Sequence, residues 1–274
     1  KCHYYKEYMA ALMTSVLDST GKIIEYTDEC QSNGVKILCP DVNESNAGFT
    51  ACEDGIRFSL VAIKSLGFSA IESLIAEREN GGRFTSLQDL CSRMKGREFN
   101  NRSVEALIKS GALDSLGANR RQMLSVYDRI MSGIASETRH NMSGQMDLFG
   151  LVDDNEHTKY EIEMPDVEEY SLTELLQMEK EIVGIYISGH PLDDISSFIP
   201  AAKLDVISSI INEENADVYY DGKEIRMFAL VVGKKNHQTK NNQIMSFLTL
   251  EDKTGSMEGV AFPNVYERHA SLLQ

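Results

Sequence analysis

The turn Ile63-Lys64-Ser65-Leu66-Gly67 returns in near copy as Ile108-Lys109-Ser110-Gly111. Each copy lies between two segments whose apolar residues recur at three- and four-residue steps, the spacing of one helix face. Each contains glycine, which reaches φ > 0 without a steric penalty. A chain built around two such turns is constrained to short helices joined by tight hairpins. A hairpin of this kind points successive backbone N–H groups outward at the start of the next helix, where an anion such as phosphate is held. Lys64 and Lys109 add point charge. Two ordinary helix ends with surface lysines have the same spacing, and spacing alone leaves both readings open.

The flanking segments fit the helical reading. "SAIESLIAERENGG" is a helix stopped by glycine, and in "TSLQDLCSRM" Ser86 and Asp89 have the spacing of an N-terminal capping box. "NRSVEALIKSG" ends at Gly111, while "NRRQMLSVYDRIMSG" starts at an Asn cap and is expected to end at Gly133. The chain as a whole carries a net charge of −15, yet residues 57–129 hold 12 Lys+Arg against 8 Asp+Glu, and residues 146–181 hold 2 against 12. A basic module precedes a strongly acidic stretch. The module resembles a tandem helix–hairpin–helix, which grips the DNA backbone without reading sequence. Its candidate DNA-binding residues are Lys64, Ser65, Leu66, Gly67, Phe68 and Ser69 in the first hairpin, and Lys109, Ser110, Gly111, Arg120 and Arg121 at the second.

A length of 274 residues allows two or three domains. No apolar run approaches the ~18 residues of a membrane span, and no signal peptide is present. The first residue is not Met, which suggests a piece of a longer protein. Five cysteines, at 2, 30, 39, 52 and 91, show no C-x-x-C spacing. Neither a disulfide framework nor a zinc site is expected, and the cytoplasm is the natural compartment. Upstream of the hairpins, Tyr5, Met9, Leu12, Met13 and Val16 mark one face of a helix, and a second helix over about 22–33 ends at Gly34. "VKILCPDVNES" runs into turn residues, and "IRFSLVAI" reads as a short strand after the "EDG" turn. Residues 134–165 lack a sustained period and read as a linker. A helix resumes at Ser171, with Glu174 three residues on, and helix is expected to continue, after "VGIYISGHPLDD", to about 215.

The last segment changes character, with three β-type runs separated by polar turns. Lys234, Lys235, His237 and Lys240 are expected in a basic loop, with Phe228 and Phe247 as stacking platforms. OB-folds bind single strands with this combination, although a small β domain also uses aromatics as core. In "GQMDLFG", Gln145, Met146, Asp147, Leu148 and Phe149 form either a linear motif that fills a partner's pocket or a segment that docks on its own domain. Catalysis is not expected. No Walker A, G-x-S-x-G or H-E-x-x-H is present, and Asp153-Asp154 and Glu161-x-Glu163 fall in the expected linker.

The order of "HYYKEYMAALMTSVLDST", "ILCPDVNES", "IRFSLVAIKSLG", "LIKSGALDSLG", "GQMDLFG", "GIYISGHPLDD" and the β-segment resembles the alpha subunits of bacterial replicative DNA polymerase III. The resemblance implies a multidomain, mainly α chain followed by a β-rich partial OB-fold. Residues 1–60 would end the fingers domain, 61–133 would be the tandem helix–hairpin–helix module, and 134–165 the linker with the sliding-clamp-binding motif. Residues 166–220 would be a helical connector and 221–274 the start of an OB-fold reached by single-stranded template. The catalytic palm with its Mg²⁺ would lie upstream, so this segment would hold no cofactor of its own and no catalytic residue. Its implied partners are duplex and single-stranded DNA, the clamp and other subunits of the replicative holoenzyme, with no membrane contact. One departure stands out: where the family's hairpin commonly reads Gly-apolar-Gly-x-Gly, this chain has Ser65-Leu66-Gly67-Phe68-Ser69. The overall charge favours a different class, a protein-binding scaffold whose hairpins do not touch DNA.

Overall fold

The computed structural model describes residues 4–94, 99–142, 162–193 and 204–272, and the Gln145–Phe149 motif lies outside them. The chain divides into two compact units, Lys1–Gly189 and His190–Gln274. Among the described residues no helix is long and apolar enough to cross a membrane. A helical unit followed by a β-rich one agrees with the fold class read from the sequence.

The first unit opens with α1 (Tyr5–Ser15) and α2 (Thr20–Ser32). Met9 and Met13, one helical turn apart, are fully buried beside Ile23 and Cys30 of α2. The chain then makes a three-stranded sheet of β1 (Lys36–Leu38), β2 (Thr50–Cys52) and β3 (Gly55–Arg57), in the order β1-β3-β2. The strand expected over 56–63 stops at Arg57. Beyond it Leu60 N donates to Asn46 O and Val61 N to Ala47 O, so the backbone leaves the ladder to bond the preceding turn. That turn docks on the helices: Asn43 exchanges side-chain hydrogen bonds with the Phe84 backbone at 2.7 and 2.9 Å, and Val42 N donates to Ala112 O at 2.8 Å.

The helical part comprises α3 (Phe68–Gly81), α4 (Leu87–Arg93), α5 (Asn101–Lys109), α6 (Arg120–Met142) and α7 (Leu172–Val183). Ile63, Leu74, Leu87, Leu90, Leu107, Ile108 and Met123 meet in one core. Local caps set the boundaries. Ser86 Oγ accepts from Asp89 N, Asn100 Oδ1 accepts from Arg102 N and Ser103 N, and Ser171 with Glu174 completes a capping box. The helix expected to end at Gly133 continues to Met142. Its inward row Met123, Val126, Ile130 extends to Ile134, which packs on the same core. One interior glycine costs only about 1 kcal/mol relative to alanine, less than that burial returns. The chain comes back at Ile162, and Ile162 and Met164 pack on the helical core.

In the second unit helix is expected to about 215; residues 194–203 of that stretch lie outside the described residues, and beyond them come the short α8 (Ile207–Ile211) and one 3₁₀ turn. Asp252 accepts from Ile207 N at 2.8 Å and ties α8 to the sheet. That sheet is β4 (Leu230–Gln238), β5 (Ile244–Asp252) and β6 (Gly255–Ala261), antiparallel in chain order, followed by α9 (Pro263–His269). Lys234, Lys235 and His237, expected in a loop, belong to β4; of the four basic residues only Lys240 sits in the β4–β5 turn.

Candidate nucleic-acid interface

The first hairpin runs from Ile63 into α3. Leu66, 7% exposed, anchors it in the core. Ser65 has φ +66°, the left-handed region that glycine favours. Gly67 is the N-cap of α3, and no side chain caps that helix. Gly67, Phe68 and Ser69 are exposed, Phe68 by 59%. The first-turn N–H groups of α3 therefore face outward. Lys64 is exposed, and it steadies the hairpin on the last turn of α7: its backbone N donates to Ile182 O at 3.0 Å and its Nζ to Glu181 O at 2.9 Å. A left-handed L-residue costs about 1–2 kcal/mol, whereas glycine adds about 0.4–1 kcal/mol of unfolded-chain entropy. Ser65→Gly is therefore expected to raise stability by about 0.5–1 kcal/mol. A urea midpoint that falls would show that the serine makes a compensating contact.

The second hairpin is built differently. Lys109 Nζ is 2.9 Å from the Glu105 carboxylate and 4.0 Å from that of Glu181. The Glu105 hydrogen bond raises the Lys109 pKa against the opposing effect of burial. Ser110 is buried and donates to Leu107 O. Gly111 has φ +80°, and a Cβ there would run into the Arg120 guanidinium.

Arg120, expected on the DNA face, is inside the protein with its side chain 4% exposed. Its Nε and Nη2 donate to Asp114 at 3.0 and 2.8 Å, Nη1 to Lys109 O at 3.3 Å, and Nη2 also to Glu179 at 3.1 Å. Burial opposes the charge, but Asp114 and then Glu179 outweigh it and raise the guanidinium pKa. Four of its five N–H donors are engaged inside the protein, so the side chain braces the hairpin from within. Arg121 is exposed, 5.5 Å from the Tyr170 ring.

Two residues with structural weight, Glu179 and Glu169, carry no motif in the sequence. Glu179, 0% exposed, accepts from Arg120, from the Ser188 hydroxyl at 2.5 Å and from Ile187 N and Ser188 N at 3.1 Å each. A signal existed, because Glu179 falls on the buried row Leu176, Glu179, Val183 of α7. Glu169 holds the start of α6: its Oε2 accepts from Arg120 N at 2.8 Å and its Oε1 from Arg121 N at 3.1 Å. Nothing in its local spacing points to that contact.

On the sheet of the second unit, Lys235, Phe247 and Val260 are paired across the three strands, so they share one face. His237 and Phe247 stand edge to face, centroids 6.4 Å apart, with Phe247 40% exposed. Lys234 points to the other face, its Nζ 5.4 Å from the Tyr266 ring. Phe228 precedes β4 and is half-buried, and Lys240 is exposed in the turn. The sheet brings Lys235, His237 and Phe247 together and separates Lys234, Phe228 and Lys240 from them. Among the described residues no group of His, Cys, Asp and Glu is arranged to hold a metal ion.

A family model described as a helix-hairpin-helix motif matches residues 34–123, which include both hairpins. Proteins named DNA polymerase III subunit alpha align with this chain along its whole length. The one from Borreliella burgdorferi is 32% identical over 100% of this chain and 23% of its own length. That from Bacillus subtilis is 35% identical, and that from Neisseria meningitidis serogroup B 34%, each over the same shares of both chains. The chain thus spans about a quarter of the length of the curated relatives it matches.

Proposed function

We propose, from the premise that this chain is similar from end to end to a stretch of DNA polymerase III subunit alpha, that it is a DNA- and clamp-holding region of a replicative DNA polymerase. The observation that carries the reading is the first hairpin, where the uncapped start of α3 lies beside exposed Lys64 within the matched helix-hairpin-helix region. A duplex phosphate would sit on the N–H groups of Phe68 and Ser69, with Leu66 fixing the turn from below. The face of Lys235, His237 and Phe247 suits a single strand, with a base stacked on the aromatic ring and the cations on the backbone. That assignment includes reading the β unit as part of an OB-fold. Residues 145–149 would dock in the sliding clamp. The proposal assigns no cofactor to this segment and leaves Mg²⁺ to a palm elsewhere in the polymerase. The setting it implies is the bacterial cytoplasm.

The test is a salt titration of duplex binding by the full chain. Backbone contacts give a steep negative slope of log K on log[salt]. Lys64→Glu should weaken binding equally for all sequences and lower that slope by about one unit. Lys109→Glu should do less, because Glu105 already engages its Nζ. No duplex binding by the unmodified chain at low salt would sink the reading and leave a protein-binding scaffold. The chain alone is also expected to give no primer extension with Mg²⁺, and extension by a preparation free of other polymerases would contradict that.

A further inference from the structure

We propose that Glu169 is an internal stand-in for phosphate that closes the second hairpin, so that duplex is held through the first hairpin alone. The inference rests on the DNA-binding reading above and adds to it an autoinhibitory contact. Both Glu169 oxygens take part. Oε2 accepts from Arg120 N at 2.8 Å, and Oε1 accepts from Arg121 N at 3.1 Å and from Tyr170 N at 2.9 Å. Two anionic oxygens on successive amides at the start of a long helix is how that helix end would hold a phosphate.

The carboxylate is held by a strap rather than by chance contact. Gln122 Nε2 donates to Pro165 O and Asn119 Nδ2 to Val167 O, both at 2.9 Å. Ile162 and Met164 anchor the strap in the core, and the Arg121 guanidinium lies over the Tyr170 ring. Along the strap Glu163, Asp166 and Glu168 are exposed. Their charge repels a phosphate backbone approaching this hairpin. Arg120 is committed to Asp114 and Glu179, and Lys109 to Glu105. The start of α3 has no such carboxylate cap. The two turns, alike in sequence, are thus unequal in what they offer.

The test compares the full chain with Glu169→Gln and Glu169→Ala. Duplex affinity should rise in both, and the slope of log K against log[salt] should steepen by about 0.9 for the phosphate newly contacted. Inorganic phosphate should raise the melting temperature of Glu169→Ala above that in chloride of equal ionic strength, and should not do so for the unmodified chain. Glu163→Gln removes a strap charge but keeps the cap, and should leave the slope and the phosphate effect unchanged. An unchanged slope in Glu169→Gln, together with indifference of Glu169→Ala to phosphate, overturns the proposal. If Glu169→Ala does not fold, the slope of the milder Glu169→Gln decides. If the unmodified chain binds no duplex, the function proposed above falls, and the phosphate-dependent melting still decides this inference.

Discussion

Glu179→Ala is expected to destabilise the first unit by about 3–5 kcal/mol, the cost of leaving one partner of a buried ion pair behind. Arg120 would remain 4% exposed with Asp114 as its one carboxylate, and Asp114 is itself half in water. The amides of Ile187 and Ser188 would lose their acceptor at the same time, and each buried polar group left unpaired adds about 1–3 kcal/mol if water does not reach it. The contrast is Lys22–Glu25, an exposed pair at 2.7 Å, where removing a partner should cost well under about 1 kcal/mol. Replacing Arg120 by Met together with Glu179 by Leu removes both charges and should recover part of the loss. It cannot recover all, because the two amides stay orphaned. Urea unfolding of the full chain measures these effects. A loss below about 1 kcal/mol for Glu179→Ala would mean that water reaches the site and that the pair is not the lock its geometry describes.

The second large effect concerns the clamp motif and belongs to the proposed function. Few side chains carry most of an interface, and they are the large ones that fill pockets. Leu148→Ala and Phe149→Ala should each weaken clamp binding by about 2 kcal/mol or more, roughly thirtyfold. Gln145→Ala should cost about 1–3 kcal/mol if its amide bonds become buried. Met146 and Asp147 should tolerate change better than Leu148 and Phe149, because few side chains carry an interface. A linear motif orders on docking, so the parent affinity should be modest, about micromolar. Immobilised clamp titrated with the full chain reads all of these. The thermal stability of the two units should not move with any of them. A double alanine variant that melts early but still binds clamp would show that Leu148 and Phe149 pack on their own domain.

Features governed by neighbours in the chain were legible in the sequence. Ser86, Asn119 and Ser171 cap the helices that follow them, and Gly34 and Gly111 take the positive φ that their helix ends require. Tyr5, Met9, Leu12 and Met13 line one face as their spacing demands. Gly133 marks a helix end by propensity alone, but Ile134 continues the buried row and α6 runs on to Met142. The basic residues of β4 have the polarity of a loop, which masks a strand whose partner, β5, is the more apolar of the two. Least legible was the inequality of the hairpins. Lys109 and Arg120 are positively charged in the sequence, but what they can bind depends on Glu105, Asp114 and Glu179. Glu179 lies 59 residues from Arg120 along the chain, and Glu169 lies 49 from the amide it caps. No local pattern carries such a pairing.

That separation also governs the order in which the molecule can be assembled on a ribosome. Synthesis at roughly 5–20 residues per second puts about 3–12 s between the appearance of Arg120 and that of the carboxylate it awaits. Over that interval a nascent chain holds the guanidinium on Asp114 alone, and the second hairpin has neither its lock nor its Glu169 cap. The helices can collapse early around Leu107 and Met123, but the finished hairpin waits for a segment made later. In this unit the late-made segment that closes the hairpin comes from outside the repeated turn itself.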